Sequence, residues 1–138
     1  MIEAFGAVNW WVAALGALAY FVLGALWFSP LFGRVWDRAV GHERRPGERF
    51  PVSYYVVPLV SSIVIAAAAA WLAEAVGLDG FWDGALFVVA LGVGVAAAVS
   101  VTNALTPAMR HPFVYGAVTG GYHVVGIGIV TALVVTLG

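Results

Sequence analysis

The chain has 138 residues, 63% of them hydrophobic and only 9% charged, with a formal net charge of −1 and a mean hydropathy of +1.00. A soluble domain carries roughly a quarter charged residues, so this composition excludes an ordinary water-soluble fold. The absence of cysteine excludes disulfides, thiolate metal sites and cysteine nucleophiles.

Four apolar stretches each reach the ~20 residues that a membrane helix needs. They predict an all-α integral membrane protein with four antiparallel transmembrane helices over residues 7–28, 54–76, 82–106 and 112–137. A short interfacial amphipathic helix is expected after the first, over residues 30–40. Four helices and short loops account for nearly the whole chain as a single domain.

Residues 7–28 begin with Trp10 and Trp11, suited to one membrane interface, and end with Trp27 and Phe28, suited to the other. Ala13, Gly16, Ala17, Tyr20 and Gly24 fall along one helical stripe where small residues permit close helix contact. Ala17-Leu18-Ala19 fits the small-residue pattern of a cleaved leader. Glu3 without any Lys or Arg ahead of the run, and apolar character as far as Phe28, argue for a retained span instead.

Ser29-Pro30 reads as an N-cap followed by a proline at the first helical position. In the segment that follows, Leu31, Phe32, Val35, Trp36, Ala39 and Val40 line one face, and Arg34, Asp37 and Arg38 the other. Gly41 is the expected stop. This helix is expected to lie in the headgroup region, with Trp27, Trp36, Arg34 and Arg38 as its contacts to the lipid interface. Residues 42–51 form a polar loop whose arginines can meet anionic lipid. Asp37, Glu43 and Glu48 partly offset them, so nucleic-acid binding is not expected.

All six basic residues are arginines: Arg34, Arg38, Arg44, Arg45, Arg49 and Arg110. Five lie between the first and second spans and one between the third and fourth, which places all six on the same side. The positive-inside rule makes that side cytoplasmic and puts both termini outside.

In residues 54–76, Pro58 either starts the regular helix or kinks its first turn. Ser62, Ala66, Ala69, Ala70 and Ala73 form a smooth face, and Ser61 and Ser62 lie near the depth of His123. A serine in such a helix can equally bond its own backbone one turn back. In residues 82–106, Gly92, Ala96, Ser100, Asn103 and Thr106 share a small, polar face, with Asn103 suited to bridging a neighbouring helix. Pro107 and Pro112 bracket a tight hinge in which His111 is solvated.

Residues 112–137 carry His123 near the bilayer midplane, where a titratable group is costly unless it faces protein or water. Gly116, Thr119, Gly120, Gly126 and Ile127 share its face, with Gly116 and Gly120 at GxxxG spacing and Gly121 beside them. A polar seam is therefore expected from His123, Tyr122, Thr119, Asn103, Ser100 and Ser62. Gly16, Gly24, Gly116, Gly120 and Gly121 are expected to let the helices pack closely. Small faces on all four helices suggest a homo-oligomer. His42 and His111 are expected far from His123, so no metal is expected, and no cofactor. No nucleophile–base pair can be named, so the chain is not read as an enzyme.

Asn9-Trp10, then Gly24-Ala25-Leu26-Trp27-Phe28-Ser29-Pro30 with Leu31-Phe32-Gly33 and Trp36, form an ordered set with Asn103 and Gly121-Tyr122-His123. In these pieces the chain resembles the bacterial four-helix membrane proteins catalogued as domain of unknown function 1761. The arginine- and proline-rich first loop departs from that pattern. The resemblance implies a four-helix fold and a bacterial plasma-membrane location, and no established activity. Two functions remain open: a pore, transporter or ligand-binding protein in which the seam serves a small solute or proton, or a structural protein in which the seam glues helices or meets a membrane partner.

Overall fold

The computed structural model describes residues 1–45 and 47–138, and every described element is helical. In chain order these are α1 (Ile2–Ala7), α2 (Trp10–Leu26), α3 (Gly33–Val40), α4 (Ser53–Val76), α5 (Gly80–Val88), α6 (Ala98–Ala104) and α7 (Pro112–Leu137). Two π-helical stretches extend them: Trp27–Leu31 continues α2, and Val89–Ala97 joins α5 to α6 without a break. Four helices are therefore long and apolar enough to cross a membrane: Trp10–Leu31, Ser53–Val76, Gly80–Ala104 and Pro112–Leu137. At 1.5 Å per residue each covers the ~30 Å hydrocarbon core.

Helix α2 starts three residues later than expected because Asn9 caps it, its side-chain oxygen accepting from Val12 N at 3.4 Å. The residues before it form α1, which the sequence reading did not foresee. Phe5 meets the Trp71 ring edge-on at 6.0 Å, and the Trp71 indole N–H donates to Met1 O at 2.9 Å.

Ser29 and Pro30 do not cap the interfacial helix; both lie inside the π turn that ends the first span. Pro30 has no N–H to give to the carbonyl four residues back, and the chain absorbs the lost rung by widening. Phe32 N accordingly donates five residues back, to Trp27 O, at 2.8 Å. The interfacial helix starts at Gly33, where a β-carbon would sit 2.7 Å from Phe28 O. Its C-terminus follows expectation, with Gly41 left-handed (φ 75). Gly41 N donates to Arg38 O and His42 N to Asp37 O, the paired bonds of a Schellman stop.

One assignment on that helix is corrected. The amphipathic pattern predicts Asp37 on the solvent face with Arg34 and Arg38, yet it is buried and accepts from Arg44 Nη2 at 2.9 Å. Helical spacing puts it beside the arginines. The turn at Gly41 brings the following loop back over it, and an ion pair encloses the carboxylate.

Helix α7 is the axis of the bundle and packs against every other span and against α3. Two of its glycines meet the backbone of the third span. A β-carbon at Gly116 would lie 3.0 Å from Val101 Cα, and one at Gly120 would lie 3.1 Å from Ala97 Cα. Against α2, Gly126 lies under the Tyr20 ring so closely that a β-carbon would overlap it. The core gathers Ala17, Tyr20, Ala66, Ala69, Tyr122, Ile127 and Val130. By contrast, residues 53–61 of α4 are exposed throughout.

Gly126→Ala is expected to destabilise the protein by about 1–3 kcal/mol, because the methyl has no space beside a fully enclosed ring. Gly128→Ala, where a β-carbon would meet only Val88 Cγ1 at 3.9 Å, should leave unfolding in detergent unchanged.

Candidate functional site

Tyr20 stands ten residues into α2, and His123 eleven residues into the oppositely directed α7. Both therefore sit about 15 Å from a helix start, near the centre of their spans. There the Tyr20 hydroxyl lies 2.6 Å from His123 Nδ1. Either the phenol donates to a bare Nδ1 or an Nδ1–H donates to the phenol oxygen, as the tautomer dictates. In both cases Nε2 keeps one hydrogen-bonding valence, and among the described residues nothing in the protein takes it.

An aromatic cluster holds the pair. The Tyr122 ring lies 5.0 Å from both the Tyr20 and His123 rings and 5.1 Å from Phe28. The Tyr122 hydroxyl donates to Tyr20 O at 3.4 Å. It fits only because α2 carries glycine at that level: a β-carbon at Gly24 would lie 3.0 Å from it. Trp27 closes the arginine-bearing side, its indole N–H donating to Val118 O at 3.0 Å while its ring lies over Gly121. It thus acts between helices more than at the lipid interface. Thr119, one turn before His123 on the same face of α7, has an enclosed Oγ1 with no partner among the described residues.

The rest of the expected seam does not converge on this point. Ser62 is buried and is a neighbour of the Tyr122 hydroxyl, but its Oγ donates at 2.8 Å to Pro58 O in its own helix. Ser100 likewise donates to Ala96 O at 2.8 Å. In each case the backbone one turn back is the nearest acceptor, and it outcompetes a neighbouring helix. Asn103 is exposed near the end of α6 and makes no side-chain hydrogen bond among the described residues. The glycines singled out for packing all lie at close approaches; a β-carbon on Gly16 would meet Val130 Cγ2 at 3.3 Å and one on Gly121 would meet Trp27 at 3.4 Å. Trp36 is half-buried, 6.1 Å from the Phe28 ring and 6.2 Å from Tyr115. Arg34 and Arg38 are exposed on α3.

Tyr20 is the residue the sequence reading missed as a partner. It was placed on the small stripe of the first span, and the available signal was a hydroxyl at the same depth as the imidazole.

A family model described as "Protein of unknown function (DUF1761)" matches residues 11–136. This bears out the resemblance carried by the Trp27–Pro30 and Gly121–His123 pieces. No curated protein matches the chain, and no solved structure does.

In a double-mutant cycle on unfolding in detergent, Tyr20→Phe and His123→Ala are expected to couple by about 0.6–1.7 kcal/mol, the range for hydrogen bonds between membrane helices. Additivity within about 0.3 kcal/mol would show that the 2.6 Å contact contributes nothing.

Proposed function

The chain belongs to the DUF1761 family, and from its midplane geometry we propose that it is a membrane protein that binds or passes a small polar solute or a proton at the Tyr20–His123 pair. The observation that carries this reading is two polar groups one turn apart on α7 without a partner among the described residues, the enclosed Thr119 Oγ1 and the Nε2 of the half-buried His123. In hydrocarbon surroundings an unsatisfied polar group is costly, so a site holding two of them favours a third party with its own donor and acceptor. The pair supports binding more than catalysis. Tyr20 is fully enclosed and its hydroxyl is engaged by Nδ1, so a ligand would meet the pair from the side of His123 Nε2 and Thr119 Oγ1.

A second reading has specific support. Ser62 and Ser100 spend their hydroxyls on their own helices. Neither the arginine-lined cavity nor the apolar groove between α2 and α4 reaches His123. On this view the pair is a structural lock whose spare valence holds at most a water. The proposed setting is a plasma membrane with the arginine-bearing face cytoplasmic and both termini outside, supported by the one-sided arginines. The small faces that suggested self-association are occupied within the chain, so support for an oligomer does not come from them.

Thr119→Val replaces the unpartnered hydroxyl with a methyl of similar shape. It is expected to raise stability in solute-free detergent by about 1 kcal/mol and to weaken solute or proton flux in proteoliposomes. His123→Gln should abolish that flux with assembly intact. Wild-type flux no greater than that of empty vesicles, with stability lowered by Thr119→Val, would leave only the lock.

A further inference from the structure

Outside the midplane, an open cavity of ≈ 920 Å³ lies at the arginine-bearing end of the spans. Three separate pieces of chain build it: α3 with Arg34 and Arg38, the following loop with Arg44 and Arg45, and the hinge before α7 with Arg110. Their convergence is structural. His111 N donates to Ala39 O at 3.0 Å, tying the hinge to α3, and the Arg110 stem passes 3.8 Å from where a Gly41 β-carbon would sit. Arg44 lies over the Phe50 ring, 5.3 Å from its centroid, and bonds the buried Asp37 carboxylate at 2.9 Å.

The charges do not cancel. Five arginines and three carboxylates, Asp37, Glu43 and Glu48, line the cavity. Asp37 is committed to Arg44. Glu48 accepts from Arg45 N at 3.1 Å and lies 3.2 Å from His42 Nε2. The Arg45 N–H, more than His42, holds the Glu48 carboxyl below its ordinary range, so this acid stays ionised and engaged. Arg34, Arg38, Arg45 and Arg110 make no ion pair among the described residues. Guanidinium groups left free around one cavity present forked donors matched to the oxygens of a phosphate. The walls also include Ser29 and Tyr55, at the ends of the first span and α4. That places the cavity level with lipid phosphates.

We propose that this arginine basin binds a phosphate-bearing anion, with the headgroup of an anionic phospholipid as its occupant. The lipid enters from the side, its phosphate among Arg34, Arg38 and Arg110 and its acyl chains along the apolar spans. Site and occupant are independent of the midplane pair.

The test uses the full chain in nanodiscs of phosphatidylcholine with a minor share of phosphatidylglycerol, with lipid retention read by native mass spectrometry. Wild type should retain phosphatidylglycerol selectively. Arg34→Gln, Arg38→Gln and Arg110→Gln should each lower that retention at least about fivefold, the loss of a direct charge-assisted contact to the phosphate. Arg49→Gln is the control, because Arg49 does not line the cavity; it should change retention less than twofold. A second arm adds inorganic phosphate or glycerol 3-phosphate. Failure of these to displace the lipid supports the headgroup, and full displacement at millimolar concentration assigns the basin to soluble phosphate esters and overturns the lipid occupant. Equal loss in Arg49→Gln and the basin variants, or no selectivity in wild type, overturns the site. Should a single variant fail to assemble, Arg38→Lys, which keeps the charge and loses the fork, carries the comparison.

Discussion

Hydrocarbon offers no water to a phenol or an imidazole, so Tyr20 and His123, carried to mid-span together with Tyr122, must answer each other. The Tyr20–His123 contact at 2.6 Å is where they do so, and it sets the register of α2 against α7. Gly126 makes it geometrically possible by leaving a slot for the Tyr20 ring. With that register set, Gly24 falls beneath the Tyr122 hydroxyl and Trp27 reaches Val118 O. The π turn that begins at Trp27 then delivers the chain to Gly33 and α3. A continuous run of contacts thus connects a hydrogen bond at mid-span to the helix that bears Arg34 and Arg38.

Helix α7 earns its central place by being thin. Gly116 and Gly120 let Val101 and Ala97 approach to backbone distance, and on the α2 side Gly121 and Gly126 accept the Trp27 and Tyr20 rings. Two neighbours on different faces are therefore packed by different devices, backbone against backbone and ring against glycine. Both maximise dispersion contact, which drives helix association where lipid and side chain are equally apolar. The same economy explains why small residues on every span do not require a second subunit. The π stretch of the third span abuts this axis as well, with Val124 Cα only 3.3 Å from where a Gly92 β-carbon would be.

The polar groups sort by what lies within reach. Hydroxyls on short side chains, such as Ser62, Ser100 and Thr131, find their own helix's carbonyl one turn back and contribute little between helices. Rings have longer reach. Tyr20, Tyr122, Trp27 and His123 make the interhelical bonds because their polar atoms stand farther from the helix axis. Charges are confined to the ends, where five of the six arginines line one basin. Two chemically distinct polar clusters thus share a small bundle, one of rings deep among the helices, the other of arginines at their ends.

Sequence by itself determined the four spans, the one-sided arginines, the stop at Gly41, the mid-depth of His123 and the glycines of α7. Each of these is a local or periodic property: length of apolar run, composition of a loop, chirality at a turn, residues per helical turn. Family membership was legible for the same reason, since its marks are short contiguous pieces such as Trp27–Pro30 and Gly121–His123. Only the tertiary structure decided which hydroxyl faces the imidazole, that Asn103 is exposed, that Asp37 is enclosed by Arg44, and that Pro30 widens a turn instead of opening a helix. Those outcomes depend on how helices rotate about their own axes and how loops fold back. Such rotations are set by the sum of many weak packing contacts between residues far apart in the chain, and no window of neighbouring residues contains that sum.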